Sequence, residues 1–157
     1  MTERALQDQL GDLWAVCFGC GPQNEHGLRI KSYWSGDESV CAWQPADYHA
    51  ATPGILNGGI IASIIDCHCV WTAIAYAYQC EGREVGSEPP ILYVTSSLHV
   101  DYLKPTPMNG PVTLRARIKE VQGKKTTVTC SLFAGDVETV RGEVVAARVS
   151  VEWQGRK

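Results

Sequence analysis

Two adjacent glycines and one aspartate are the residues of this chain best placed to do chemistry. Gly58-Gly59 stands at the start of a long apolar segment, and Asp66 follows within it. The first backbone N–H groups of a helix have no partner inside it, and the helix dipole favours negative charge beside them. Two residues without side chains let a substrate oxygen approach those donors closely. Such a helix start can serve as an oxyanion hole for a carbonyl under attack. Asp66 falls two turns further on, in line with Gly59, Ala62 and Ser63. A carboxylate in so apolar a segment needs a structural partner or a task. The residues alone leave both open.

Other reactive side chains have weaker cases. Cys17-x-x-Cys20 has the form of half a zinc or redox site. A structural zinc wants four ligands, and no second pair follows at suitable spacing, so no metal is expected. Cys67, His68 and Cys69 are consecutive and point about 100° apart on a helix, so they cannot share one ligand set. His68 therefore reads as a satisfied core or interface histidine. His99 and Asp101 share one strand face and can pair. The seven cysteines, an odd number without a secretory signal, read as reduced thiols.

The elements that must position these groups follow from periodicity. At 157 residues the chain suits one domain, 1–157, and no repeat or linker divides it. In the extension over residues 1–16, Leu6, Leu10 and Leu13 predict a short amphipathic helix over 3–14. Cys17 to Gly27 is rich in glycine and reads as a loop. Strands are expected over 28–34 and 39–44, and the central helix over 57–79. Residues 91–153 then alternate with period two and predict a four-strand antiparallel meander. Its apolar positions are Val94, Ser96, Leu98, Val100 and Tyr102; Val112, Leu114, Ala116 and Ile118; Val128, Cys130 and Leu132; and Val145, Ala147, Val149 and Val151. Gly123 and Gly135-Asp136 mark hairpin turns.

The apolar stretch 59–78 has the length of a membrane span. Asp66 and His68 lie inside it, and an uncompensated aspartate at mid-bilayer costs roughly 3 kcal/mol. It reads instead as the buried helix of a soluble protein, placed in the cytoplasm by the absence of a signal peptide. A net charge of −3 gives no global attraction to nucleic acid or to an anionic membrane, and neither is an expected partner. A helix apolar all round must be covered on nearly every side. One sheet does that only by curling around it, with a second subunit covering the remainder. The expected architecture is α+β, a curled antiparallel sheet wrapped around one long central helix, in a homo-oligomer.

The Gly58-Gly59 helix start, the aspartate at 66, the strand Val94-Thr-Ser-Ser-Leu-His-Val-Asp-Tyr-Leu-Lys-Pro105 and the earlier Cys17-Phe-Gly-Cys-Gly-Pro…Gly27-Leu28 stretch carry a resemblance. In order and spacing they resemble the hot-dog-fold acyl-coenzyme A thioesterases, in the branch of the phenylacetate-degradation-type and hydroxybenzoyl-coenzyme A enzymes. The resemblance covers roughly residues 17–153. It implies that the Gly58 amide polarises the thioester carbonyl and that Asp66 acts as nucleophile or as general base for water. It also implies that the two come from opposite subunits of a dimer or dimer of dimers. Asn57, Gly59 and Thr95 would contact the substrate or hold the water, and the chemistry needs no cofactor.

The chain departs from that pattern at two positions. Asn57 stands where members of the branch usually carry histidine, and Ala51 where an asparagine is frequent, with His49 or Thr52 nearby as substitutes. An amide can hydrogen-bond a thioester but cannot protonate a leaving thiolate. One oxyanion donor is worth 10²–10³-fold and a positioned base 10²–10⁴-fold, so Gly58 and Asp66 together can supply roughly 10⁴–10⁷-fold. Asn57 motivates one alternative, a non-catalytic module that binds acyl-coenzyme A. Another is a hot-dog hydratase or dehydratase, which would pair the aspartate with a histidine; the nearest, His68, is expected to point away.

Overall fold

A computed structural model describes residues 4–155. The long helix, α1, runs Gly58–Cys80. No proline interrupts it, Asn57 caps its start, and Gly82, with φ 64° in the left-handed region that glycine favours, turns the chain away at its end. The strands are β1 (Tyr33–Ser35), β2 (Glu38–Trp43), β3 (Leu92–Tyr102), β4 (Val112–Gln122), β5 (Lys125–Ala134) and β6 (Val137–Val149). They form one antiparallel six-stranded sheet in the order β1-β2-β4-β5-β6-β3. Helix α1 lies on the sheet and touches β2 through β6. This is the expected α+β hot-dog arrangement.

The order corrects the expected meander. β4, β5 and β6 are joined by two-residue hairpins in which Gly123 and Gly135 both adopt φ 60°. β3 is not the first strand of that series. It crosses to the far edge and pairs only with β6. The connector from Leu103 to Pro111 contains Pro105, Pro107 and Pro111, which suits a crossing and not a tight hairpin.

β3 is therefore an edge strand. A bulge lies between Thr95 and Ser97, and residues 95–99 are exposed on both faces, which erases the expected alternation there. β6 has the opposite facing from the one expected. Val140, Val144 and Ala146 are fully buried, with Gly142 on the same face, while Val145, Ala147 and Val149 are only partly covered. The run Val144-Val145-Ala146-Ala147 offers no polar contrast from which to set the phase. Gly142 is required there: a Cβ at that position would stand 2.6 Å from a methyl carbon of Ile65 on α1. The strand ends at Val149, and a 3-10 turn (Val151–Gly155) follows where the meander was expected to continue.

Residues 1–3 of the N-terminal extension lie outside the described residues, and the described part is not the expected helix. Leu6–Asp8 form one 3-10 turn and the chain then turns repeatedly to residue 16. Gly11 sits at φ 63°, incompatible with a continuous right-handed helix. Leu6 and Leu10 still reach the core, and the Leu6 amide donates to the Ser32 carbonyl at 2.8 Å. The first expected strand shortens to Tyr33–Ser35 because Arg29 takes φ 53° and interrupts the extended run.

By length and composition α1 would also suit a membrane span. Here Ile61, Ile64, Ile65, Trp71, Ile74 and Tyr78 on it are buried within the protein core.

Candidate functional site

The start of α1 is organised by Asn57. Its side-chain oxygen accepts the amides of Gly59 at 2.8 Å and Ile60 at 3.1 Å, the usual N-cap pattern. Its own carbonyl accepts the Ile61 amide, and its amide donates to the His49 carbonyl at 2.9 Å. The cap occupies the Asn57 side-chain oxygen and leaves its side-chain N–H, the group expected to donate to a substrate, without a hydrogen-bond partner among the described residues. The expected open amide of Gly59 is corrected, since it donates to that oxygen. The Gly58 amide has no hydrogen-bond partner among the described residues. His49 is tied up too: its Nδ1 accepts the Ala46 amide at 2.9 Å and its ring packs on Trp43.

Tyr102, at the end of β3, buttresses this helix start. Its hydroxyl donates to the Gly58 carbonyl oxygen at 2.6 Å. A Cβ on Gly58 would meet the same hydroxyl at 3.3 Å, tighter than ordinary contact. Periodicity places Tyr102 on a strand but carries no sign of this contact, which joins residues 44 positions apart.

Asp66 lies half-buried on α1, two turns beyond the glycines. Thr95 Oγ1, from the bulge of β3, donates to Asp66 Oδ1 at 2.6 Å. Burial raises the Asp66 carboxyl above the usual carboxylate range, and the Thr95 hydrogen bond opposes that rise. The second carboxylate oxygen remains available to accept a proton. Asp66 and Thr95 line a cavity of about 120 Å³ together with Trp14, Cys17, Cys20, Cys67, Val70 and Trp71.

Cys67 changes the reading of the Cys17-x-x-Cys20 pair. The loop 17–20 folds over α1 so that the sulfurs of Cys17, Cys20 and Cys67 all lie within 4.8 Å of one another. Gly19 permits the approach, because a Cβ there would stand 2.3 Å from the Cys67 sulfur. No second pair follows Cys20 at local spacing; the third sulfur comes from the helix, 47 positions further on. All seven cysteines are free thiols.

The remaining candidates are structural. His68 is fully buried; its Nδ1 meets Ser32 Oγ at 2.7 Å and its Nε2 meets the Ser39 carbonyl at 3.1 Å. It faces the sheet, away from the Asp66 cavity. Burial depresses it to about 4. His99 and Asp101 pair at 3.2 Å on the exposed face of β3.

The thioesterase superfamily model matches residues 53–141, more than half the chain, and spans both Gly58 and Asp66. The chain belongs to the thioesterase superfamily. It is similar to the acyl-coenzyme A thioesterase THEM4 of Rattus norvegicus, 28% identical over 95% of this chain and 53% of the rat protein. The same enzyme of Xenopus laevis is 29% identical over 68% of this chain and 42% of that one. The chain thus spans about half the length of the curated relatives it matches. A solved thioesterase superfamily protein from Shewanella loihica is 36% identical, with a TM-score of 0.65, and the match covers 82% of this chain and 98% of that one. A phenylacetic acid degradation-related protein from Ralstonia eutropha shares the fold, with a TM-score of 0.61 at 15% identity over 76% and 85% of the two chains.

Proposed function

We propose that this thioesterase-superfamily chain hydrolyses the thioester of a small or medium acyl-coenzyme A, working as a homodimer or a dimer of dimers. The observation that carries the reading is the pair of differently prepared groups on one helix. The Gly58 amide is left open by the Asn57 cap, and the Asp66 carboxylate is half-buried and oriented by Thr95.

Helix geometry supports a second copy. Eight residues of α-helix separate Gly58 from Asp66 by about 12 Å, of which the short aspartate side chain recovers only about 2 Å. A donor-to-oxygen contact, one carbonyl bond and a near-attack distance together reach about 8 Å, short of that gap for direct attack by the carboxylate, and an intervening water extends the reach to about 10 Å only when every contact is in line. The Gly58 amide of another subunit is free of that constraint, which favours a donor and an acid from opposite copies. The cavity supports this reading, since 120 Å³ in one chain is well short of the ~300–1,000 Å³ of complete ligand sites. So does β3, an eleven-residue edge strand carrying Thr95 and exposing Leu98 and Tyr102.

In the proposed step, water adds to the thioester carbon as its proton passes to the free oxygen of Asp66, or the carboxylate itself attacks and water then cleaves the anhydride. Negative charge on the carbonyl oxygen is held by the partner copy's helix start. The tetrahedral adduct collapses with expulsion of coenzyme A thiolate, a good enough leaving group that no histidine at position 57 is required. The reduced thiols support a cytoplasmic setting.

The test is a panel of short, medium and aromatic acyl-coenzyme A substrates followed by thioester absorbance. Hydrolysis should collapse in Asp66→Asn while the oligomer persists, and unchanged turnover in that variant overturns the assignment. Asn57 in place of the histidine usual in the branch favours one other reading, a binding module without turnover. Saturable binding with no hydrolysis by the wild-type chain across the panel would establish it.

A further inference from the structure

The hydrolytic reading makes no use of the three sulfurs beside Asp66. Cys17 and Cys67 stand 3.7 Å apart, and Cys20 completes a triangle with no side longer than 4.8 Å. Zinc–thiolate bonds of about 2.3 Å in a tetrahedral set place their sulfurs about 3.8 Å apart. The triangle therefore needs only a small contraction to close on one ion.

Two further features suit thiolate ligation. The Trp71 indole N–H donates to Cys20 Sγ at 3.3 Å, an outer hydrogen bond of the kind that fixes and tunes a metal ligand. Gly19 between the two loop cysteines has no Cβ to hold Cys67 away.

We propose that Cys17, Cys20 and Cys67 form a binding site for a thiophilic cation of the zinc class, with three protein sulfurs as ligands. All three line the cavity shared with Asp66 and Thr95, so the fourth coordination position opens toward that cavity. Three protein ligands with one open position is the pattern of zinc sites that accept an exogenous ligand. Binding releases the thiol protons and leaves a site of net charge −1 for a divalent ion. The inference stands on sulfur geometry and is independent of thioester hydrolysis.

The test uses the full chain, reduced and handled without oxygen, titrated with Co²⁺ as the optical probe and then with Zn²⁺ against a chromogenic chelator. Saturation at one equivalent with a thiolate-to-cobalt charge-transfer band is expected. Cys67→Ser and Cys17→Ser should each weaken Zn²⁺ binding at least tenfold, in line with the loss of a ligand, whereas the exposed Cys80→Ser should not. Far-ultraviolet circular dichroism confirms that each variant is folded; should Cys67→Ser not fold, Cys17→Ser on the loop side of the cluster decides the outcome. A missing charge-transfer band, non-saturating binding, or equal affinity in Cys17→Ser overturns the proposal. Asp66→Asn should retain the band, so failure of this site and failure of the hydrolytic one are distinguishable.

Discussion

The hydroxyl of Tyr102 is bonded to the carbonyl oxygen of Gly58, joining the last residue of the edge strand to the first residue of the central helix across 2.6 Å. That bond pins the first residue of α1 against the edge strand, beside the one helix-start amide that the Asn57 cap leaves open. Tyr102→Phe removes the bond but keeps the ring. Hydrolysis should slow several-fold, while stability falls by only about 1 kcal/mol.

The Gly58 amide can be deleted without dismantling the helix. Proline is well tolerated at the first helical position, where its missing N–H has no intrahelical partner to lose. Gly58→Pro should lower turnover by about 10²–10³-fold, the worth of one oxyanion donor. Gly58→Ala controls for bulk against Tyr102 and should lose much less. Equal losses in the two variants would show that space, not the N–H, matters.

Asn57 is expected to act on stability through its cap. Asn57→Ala strips the acceptor from the Gly59 and Ile60 amides and should cost about 1 kcal/mol in urea denaturation. Asn57→Asp, which retains an acceptor and adds favourable charge at a helix N-terminus, should hold the wild-type midpoint or raise it.

Much of this site was legible from residue types. The glycine pair and Asp66 stand out because each is anomalous beside its apolar neighbours, whereas Thr95, followed by Ser96 and Ser97, comes only from the family resemblance. The cap was legible too, since asparagine before a helix is a standard signal, yet comparison with a histidine-bearing pattern drew the reading toward substrate contact. The partnership of Cys67 with the 17–20 loop and of Tyr102 with Gly58 was not legible. Both join segments more than forty positions apart, and no local periodicity records which strand occupies the sheet edge. The facing of β6 failed for a different reason: with valine and alanine on both sides, only Gly142 marks the inner face, and its meaning depends on Ile65.

Gly142 therefore makes a sharp packing test. Gly142→Ala drives a Cβ to 2.6 Å from the Ile65 methyl, and Ile65 branches too close to α1 to swing away freely. Overpacking of this kind costs about 1–3 kcal/mol, to be read from the denaturation midpoint. Thr127→Ala, on the partly covered face of β5, should cost less.

His68 predicts how stability depends on pH. Its folded pKa, about 4, lies below the unfolded value of 6.5. The unfolded chain thus takes up a proton first, and the stability present above pH 6.5 is lost as pH falls toward 4. The shift corresponds to roughly 3 kcal/mol over that window. Denaturation at pH 7 and pH 5 should show the decline, and His68→Gln should flatten it.

Asp66 provides the most direct measurement. Its carboxyl is raised by burial, so its ionised form, the one that can take a proton from water, is held in the fold at a cost above the ordinary carboxylate range. Turnover of acyl-coenzyme A by the wild-type chain should rise with pH through a midpoint above that range. Asp66→Asn should remove about 10²–10⁴-fold of the rate while leaving thermal stability at neutral pH equal or higher. A variant that unfolds earlier yet still hydrolyses at the wild-type rate would show that Asp66 serves the fold and that the hydrolytic centre lies elsewhere.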